Sequence, residues 1–182
     1  MKMSWNEALI DEEISILQRI RSDVGARVLP QRLYEEFVKT YKKISTELVI
    51  FDEDGNVWLT QRPSKERQPD EPFAGQWHNP GVMHNFNESI DNAWERLCKD
   101  ELGSGVVADG PQFIKILEFS ESKRGHYLSL LYITRYRSGK LTSSTPSGFY
   151  KPSDLPRPIF EPHEKLIIPE AVKAAASLGW LQ

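Results

Sequence analysis

The hydrophobic pattern changes period along the chain, and each change marks a new element. Ser4 followed by Glu7 has the spacing of a capping box, in which a hydroxyl and a carboxylate satisfy backbone N–H groups at a helix start. The helix this predicts runs to about Arg21, where Ser22, Asp23 and Gly25 break it. Pro30 suits the first turn of a second helix through Glu36, Phe37 and Tyr41. Residues 1–45 therefore read as an N-terminal helical arm.

From Thr46 the pattern becomes that of strands. Thr46 to Phe51 and Val57 to Gln61 flank Asp52-Glu53-Asp54-Gly55-Asn56, a hairpin signal with a glycine for the positive-φ position. Arg62 to Met83 carries prolines at 63, 69, 72 and 80 and reads as one long loop, a kind of segment that is usually functional or disordered. Glu88 to Leu102 has helical spacing and is ended by Gly103. Phe113 to Phe119 and Tyr127 to Tyr136 predict two strands joined at Lys123-Arg124-Gly125. Ser138 to Gly148 is polar loop, and Pro169 opens a final helix through Ala176. Strands, helix, strands, helix is the order of an α/β or α+β sandwich, not of a regular βαβ repeat.

One position on the 88–102 helix is chemically out of place. At about 100° per residue, Ile90, Ala93, Trp94, Leu97 and Cys98 form an apolar stripe, and Glu101 falls within it. A carboxylate on a core-facing stripe costs several kcal/mol, in order of magnitude, unless it is paired or bound to a cation. Either the stripe frays into solvent at Glu101, or the carboxylate holds a hard cation of the magnesium or manganese type. Asp100 lies at the stripe edge, four residues after Arg96 and within pairing reach of it. Glu88 lies on another face.

Composition narrows the partners. A net charge of −3 gives no general attraction to nucleic acid or anionic lipid. Cys98 is the single cysteine, which excludes an internal disulfide and fits a reducing cytoplasm. The opening MKMSWNEALIDEE is acidic and has no long apolar run, so it reads as neither a secretion signal nor a membrane span. An exposed amphipathic helix in the arm suits a homodimer.

The stretch Gly81 to Ser104, GVMHNFNESIDNAWERLCKDELGS, resembles the Nudix signature G-x5-E-x7-R-E-U-x-E-E-x-G-U, where U is a bulky aliphatic residue. Glu88 matches the first Glu, Arg96 the Arg, Glu101 the last Glu and Gly103 the second Gly. Gly75-Gln76-Trp77 with Asn79-Pro80-Gly81 resembles the family's lead-in, and Phe149-Tyr150 with Asp154-Leu155-Pro156 its late W-F-x-x-x-E-L-P element. The resemblance spans about Thr46 to Pro156. It implies a Nudix-type α-β-α sandwich with a mixed sheet over residues 46–182, extended by the N-terminal helices.

The departures are specific. Val82 replaces the signature's first Gly, Leu97 the Glu after the Arg, and Asp100 the next Glu. Arg96-Leu97 with Glu101-Leu102-Gly103 is similar to the GDP-mannose mannosyl hydrolase branch. That branch has an Arg where Met83 stands and a base His in the loop that here reads LTSSTPSGFY.

The resemblance implies a divalent-metal-dependent hydrolase of a nucleoside-diphosphate compound, a nucleotide sugar such as GDP-mannose, with Mg2+ or Mn2+ held by Glu101 and the Gly81 carbonyl. It further implies Arg62 on the diphosphate, Arg96 in support of the site, and Glu47 and Tyr127 near substrate. Asp100 is a further candidate ligand, and Trp77 either stacks on a base or sugar or packs as core. Glu88, His126, His163 and Glu164 are candidate bases, His163 lying in a region from which some Nudix enzymes supply theirs. Loss of the Glu at Leu97 leaves a second reading open, a Nudix-fold module that only binds a nucleotide or a protein.

Overall fold

The computed structural model of the chain describes residues 7–25, 30, 32–33, 36, 41–69, 71–85, 87–103, 106–120 and 125–181. Ser4 and most of the second helix expected after Pro30 lie outside these residues. Helix α1 (Glu7–Gly25) runs a full turn past Arg21. Ser22 and Asp23 are tolerated in its last turn, and the helix ends at Gly25.

The sheet is built on β1 (Lys43–Phe51), which turns into β2 (Val57–Gln61). Asp52 closes that turn: one carboxylate oxygen accepts the N–H groups of Asp54 and Asn56 at 3.0 and 2.8 Å. Gly55 supplies the left-handed residue the tight turn requires, at φ 80°. Short strands β3 (Trp77–His78) and β4 (Gly81–Met83) follow. Next come helix α2 (Ile90–Leu97), β5 (Val107–Ala108), β6 (Gln112–Phe119), β7 (Tyr127–Ser138), β8 (Ser147–Tyr150) and α3 (Ile168–Ser177). The strand path is β3-β2-β1-β7-β5, with β4 on β1, β6 on β7 and β8 on β2. β1 and β7 are parallel and the other pairs antiparallel, so the sheet is mixed.

Both faces of β1 are covered, which is why it reads as a continuous apolar run and not as an alternation. Leu48 and Ile50 join Trp58, Leu97 and Leu102 in the layer under α2. Val49 and Phe51 join Leu59, Leu131, Ile133, Ile168, Ala171 and Ala175 in the layer under α3. This is the expected α-β-α sandwich with its additional N-terminal helix.

The structure corrects two local expectations. The segment from Arg62 to Met83 is not loop throughout: Trp77–His78 pairs with Thr60–Gln61, and Gly81–Met83 pairs with Ser45–Glu47. Pro80 has no N–H to give a ladder, so it divides what would be one strand into pieces too short to show a period. The second correction concerns the α2 stripe. From Cys98 to Leu102 the helix widens into a π-turn. With bonds reaching five residues instead of four, Leu102 rather than Glu101 comes beneath Leu97. Leu97 and Leu102 are both buried, and Glu101 turns to the flank of the stripe. Gly103, at φ 83°, then ends the helix.

Candidate active site

The flank to which Glu101 turns is one wall of a cavity of about 380 Å³. Thr60, Gln61, Arg62, Pro63, Gln68 and Glu71 line it from β2 and the following loop, and His78 from β3. Asp100 and Glu101 face them from the π-turn, with Ser143, Ser144 and Thr145 on the opposing loop. Backbone bonds hold these walls in register. Gln61 N–H donates to Pro146 O at 2.8 Å, Arg62 N–H to Gln76 O at 2.9 Å, and Thr142 N–H to Leu102 O at 3.1 Å. The Arg67 guanidinium donates to Ser144 O at 2.9 Å and ties the two loops together.

The electrostatics of the cavity centre on Glu101. Burial pushes its carboxyl above the ordinary range; the Arg62 guanidinium opposes that rise and the Asp100 carboxylate adds to it. Arg62 Nη1 is 3.3 Å from a carboxylate oxygen of the buried Glu71, whose other oxygen accepts the Phe73 N–H at 3.0 Å. The cavity thus holds three carboxylates, one guanidinium and the His78 imidazole.

Glu88 and Arg96 lie outside the cavity lining. They bind each other in a two-pronged pair, Nε to Oε1 at 2.8 Å and Nη2 to Oε2 at 2.6 Å. Arg96 Nη2 also donates to Met83 O at 2.8 Å, and Glu88 accepts the Asn85 N–H at 2.7 Å. Chiefly through the Arg96 bonds, the Glu88 carboxyl is lowered to about 2. Arg96 therefore takes Glu88, not Asp100, as its partner. Glu88 reaches it from the turn before α2, capped by Ser89, whose hydroxyl accepts the Asn92 N–H at 3.1 Å.

The same pair reveals the aim of the Gly81 carbonyl. β4 bonds to β1 through even-numbered residues: Leu48 N–H reaches Pro80 O, and His84 N–H reaches Ile44 O, each at 2.9 Å. Odd-numbered Gly81 and Met83 therefore turn their backbone groups away from β1. Met83 O meets Arg96 of α2. The Gly81 carbonyl, two residues earlier, turns to that same side of the strand.

Glu47 is paired with Gly81 across the ladder, and its carboxylate fills the space a Cβ would need there. It accepts from Asn79 Nδ2 at 2.9 Å and stands 3.8 Å from His163 Nε2. His163 is buried just before α3, and its Nδ1 accepts the Asn79 N–H at 3.1 Å. Trp77 packs edge-on against Tyr150 at 5.1 Å, so of its two expected environments the core is the one observed. Tyr127, expected near substrate, is buried at the start of β7 and stacks on Phe119 at 4.7 Å, away from the cavity lining. His126 pairs with Glu118 at 2.7 Å and Glu164 with Arg157, both at the surface. Burial raises the Cys98 thiol, as suits a packed side chain.

The structure therefore brings Arg62, Asp100 and Glu101 together in one cavity, while Gly81 lies on β4 against Glu47, outside the lining. It adds Gln68, Glu71, His78 and Ser143 to Thr145. Glu71 and Gln68 sit in an aperiodic loop, and no spacing in the sequence points to them.

A divalent cation fits this donor set. Burial and the adjacent Asp100 raise the Glu101 carboxyl, and Glu71 adds a third carboxylate to the same cavity. Among the described residues no group of three or more His, Cys, Asp or Glu side chains forms a metal cluster. A cation here would need further oxygens from substrate and water.

No protein-family model and no curated protein sequence matches the chain. Solved structures do. The MutT NUDIX hydrolase of Burkholderia pseudomallei superposes with a TM-score of 0.56 at 20% identity, over 73% of this chain and 97% of that one. An ADP-ribose pyrophosphatase of Streptococcus suis gives 0.53 at 20%, over 74% and 92%. The NUDIX domain of Shewanella oneidensis NrtR, complexed with ADP ribose, gives 0.55 at 18%, over 82% and 99%. The chain has the Nudix fold.

Proposed function

We propose that the chain is a divalent-cation-dependent hydrolase of a nucleoside-diphosphate-linked compound, specifically a nucleotide sugar, with GDP-mannose the first substrate to try. The observation that carries this reading is the convergence of Glu101, Asp100 and Arg62 in one polar cavity of a Nudix fold. Two of the similar structures carry ADP-ribose in their names, itself a nucleoside diphosphate joined to a sugar.

Each residue takes a definite task. Glu101 and the Gly81 carbonyl hold Mg2+ or Mn2+, with Asp100 at the rim. A bound cation would supply charge neutralisation on the diphosphate and help to activate the attacking water. Arg62 donates to phosphate oxygens, and Glu71 orients its guanidinium. The hydroxyls of Ser143, Ser144 and Thr145, with Gln68, suit a polyol or phosphate rather than a stacked base. Glu88 and Arg96 fix the turn between β4 and α2 and so act as a positioning pair. Trp77 and Tyr127 serve this reading as core supports of the site walls.

Water adds across one bond of the diphosphate linkage. Cleavage at phosphorus yields a nucleoside monophosphate and a sugar phosphate; cleavage at the sugar carbon yields a nucleoside diphosphate and free sugar. Incubation with Mg2+ or Mn2+ and GDP-mannose, other nucleotide sugars, dinucleoside polyphosphates and nucleoside triphosphates, followed by product identification, tests the proposal. Turnover that survives Glu101→Gln unchanged refutes the role given to Glu101.

A binding module is the second reading, favoured by Leu97: the Nudix position after the Arg is here an apolar side chain with 0% exposure. Nucleotide binding by calorimetry without turnover of any of these compounds would select it. We further propose a reducing cytoplasmic setting, from the lone Cys98, and a homodimer through α1. Ile10, Ile14 and Leu17 lie on one face of that helix and are exposed. A monomeric mass in light scattering would remove the dimer. No helix among the described residues is long and apolar enough to cross a membrane.

A further inference from the structure

The segment Asn79-Pro80-Gly81 is held by side chains from two distant parts of the chain, Glu47 and His163, and by its neighbour His78. Asn79 has 0% exposure, and every hydrogen bond it makes is internal. Its carbonyl accepts from His78 Nδ1 at 2.7 Å, and its side-chain Nδ2 donates to Glu47 and to Pro80 O at 2.9 and 3.0 Å. Its backbone N–H donates to His163 Nδ1 at 3.1 Å. Pro80 restricts Asn79 to extended backbone and fixes its own φ. Gly81 lies flush against the Glu47 carboxylate, which leaves no room for a side chain.

His163 is the member of this clamp that comes from outside the sheet. A backbone N–H can only donate, so Nδ1 of His163 must be the bare nitrogen and Nε2 carries the proton. Nε2 stands 3.8 Å from Glu47 Oε2. The imidazole thus contacts both Asn79 and the carboxylate that seats Gly81. It is 3% exposed and lies outside the cavity lining, which places it behind the site rather than in it.

We propose that His163 is a positioning residue for the cation. By holding the Asn79 N–H and facing Glu47, it fixes the rotation of the Asn79-Pro80-Gly81 turn and hence the aim of the Gly81 carbonyl at the cation shared with Glu101. This rests on the reading that Glu101 and the Gly81 carbonyl hold a divalent ion. Groups that orient a metal's ligands typically cost about 10- to 100-fold in metal affinity when removed.

The test is Mn2+ binding to the full chain without substrate, by electron paramagnetic resonance and calorimetry, beside kcat and KM. Two variants are compared. His163→Leu keeps the buried volume and removes the acceptor; His163→Asn offers an amide oxygen close to where Nδ1 stands. His163→Leu is expected to weaken Mn2+ binding by about 10- to 100-fold. His163→Asn is expected to retain both binding and turnover. Mn2+ affinity unchanged in His163→Leu overturns the inference. So does His163→Asn with intact Mn2+ affinity and lost turnover, which would make the imidazole a proton carrier. Should His163→Leu fail to fold, that second comparison decides by itself. A parent protein that binds no Mn2+ overturns the cation site as a whole and this inference with it.

Discussion

Acidic residues at the two ends of one helix have opposite fates. Where it begins, Glu88 is gripped by Arg96 and by the Asn85 N–H, and its carboxyl is lowered to about 2. Where it ends, burial lifts Glu101 above the ordinary range, Asp100 lifts it further, and Arg62 offsets only part of the rise. The first cluster is complete in itself. In the second, Asp100 and Glu101 face the single guanidinium of Arg62, and on the proposed function a cation would complete it. A satisfied ion pair contributes to stability and specificity of shape; an unsatisfied, partly buried carboxylate is a standing cost that a ligand can remove. The difference separates two residues that both match positions of the resemblance to the Nudix signature.

The largest effect should come from Arg96→Met. It leaves the Glu88 carboxylate, 11% exposed, without its main partner, and truncating a buried pair costs about 3–5 kcal/mol. Urea denaturation at neutral pH measures it. Adding Glu88→Gln to Arg96→Met should recover a large part of the loss, because the stranded charge is then gone. A single-variant cost below about 1 kcal/mol, the range of an exposed pair, would mean that the two clusters do not differ as described.

Acid should separate the clusters next, by sign. The folded pKa of Glu88, about 2, lies below the reference 4.5. Its contribution is full above the unfolded pKa and is lost as pH falls toward the folded one, in total up to about 3 kcal/mol. Glu101 is raised, so its contribution is present at low pH and is lost as pH rises through its folded pKa. Glu88→Gln should therefore flatten the acid limb of a stability-against-pH curve measured without metal. Glu101→Gln should remove a decline on the higher-pH side of 4.5. Parallel responses from the two variants would erase the contrast.

In activity the order reverses. Glu101→Gln should lower kcat/KM about a hundredfold or more, equivalent to about 2.7 kcal/mol, while leaving the metal-free fold as stable as before or more so. Steady-state kinetics with a thermal melt on the same preparation checks both halves.

The amino-acid pattern carries the architecture well because β1, β6, β7 and α3 are long enough to show a period. It carries β3 and β4 poorly, since two- and three-residue strands split by Pro80 have none. Glu101 is legible twice, from the apolar stripe and from the signature, although α-helical spacing puts it in the stripe itself. The π-turn at Cys98–Leu102 puts Leu102 in the core and Glu101 in the cavity, and i→i+5 bonding leaves no mark in residue type. Glu71 and the hydroxyls at 143–145 were not legible, because they reach the cavity from loops whose path is set by tertiary contacts such as the Arg67–Ser144 bond. Tyr127 shows the converse: it matched a motif, but β7 buries it against Phe119.

Asp100→Asn should produce the smallest effect and sharpen the comparison most. Asp100 is exposed at the cavity rim and raises its neighbour Glu101. Removing its charge should ease Glu101 downward, so the acid limb of kcat/KM moves to lower pH. Stability should stay within about 0.5 kcal/mol of the parent, as for most exposed substitutions. Mn2+ affinity should fall by about tenfold at most, ~1.4 kcal/mol, because Asn keeps one oxygen at the rim while Glu101 and the Gly81 carbonyl are untouched. A loss as large as that of Glu101→Gln would make Asp100 an equal ligand. The unsatisfied end of the helix would then be a two-carboxylate site rather than one carboxylate with a charged neighbour.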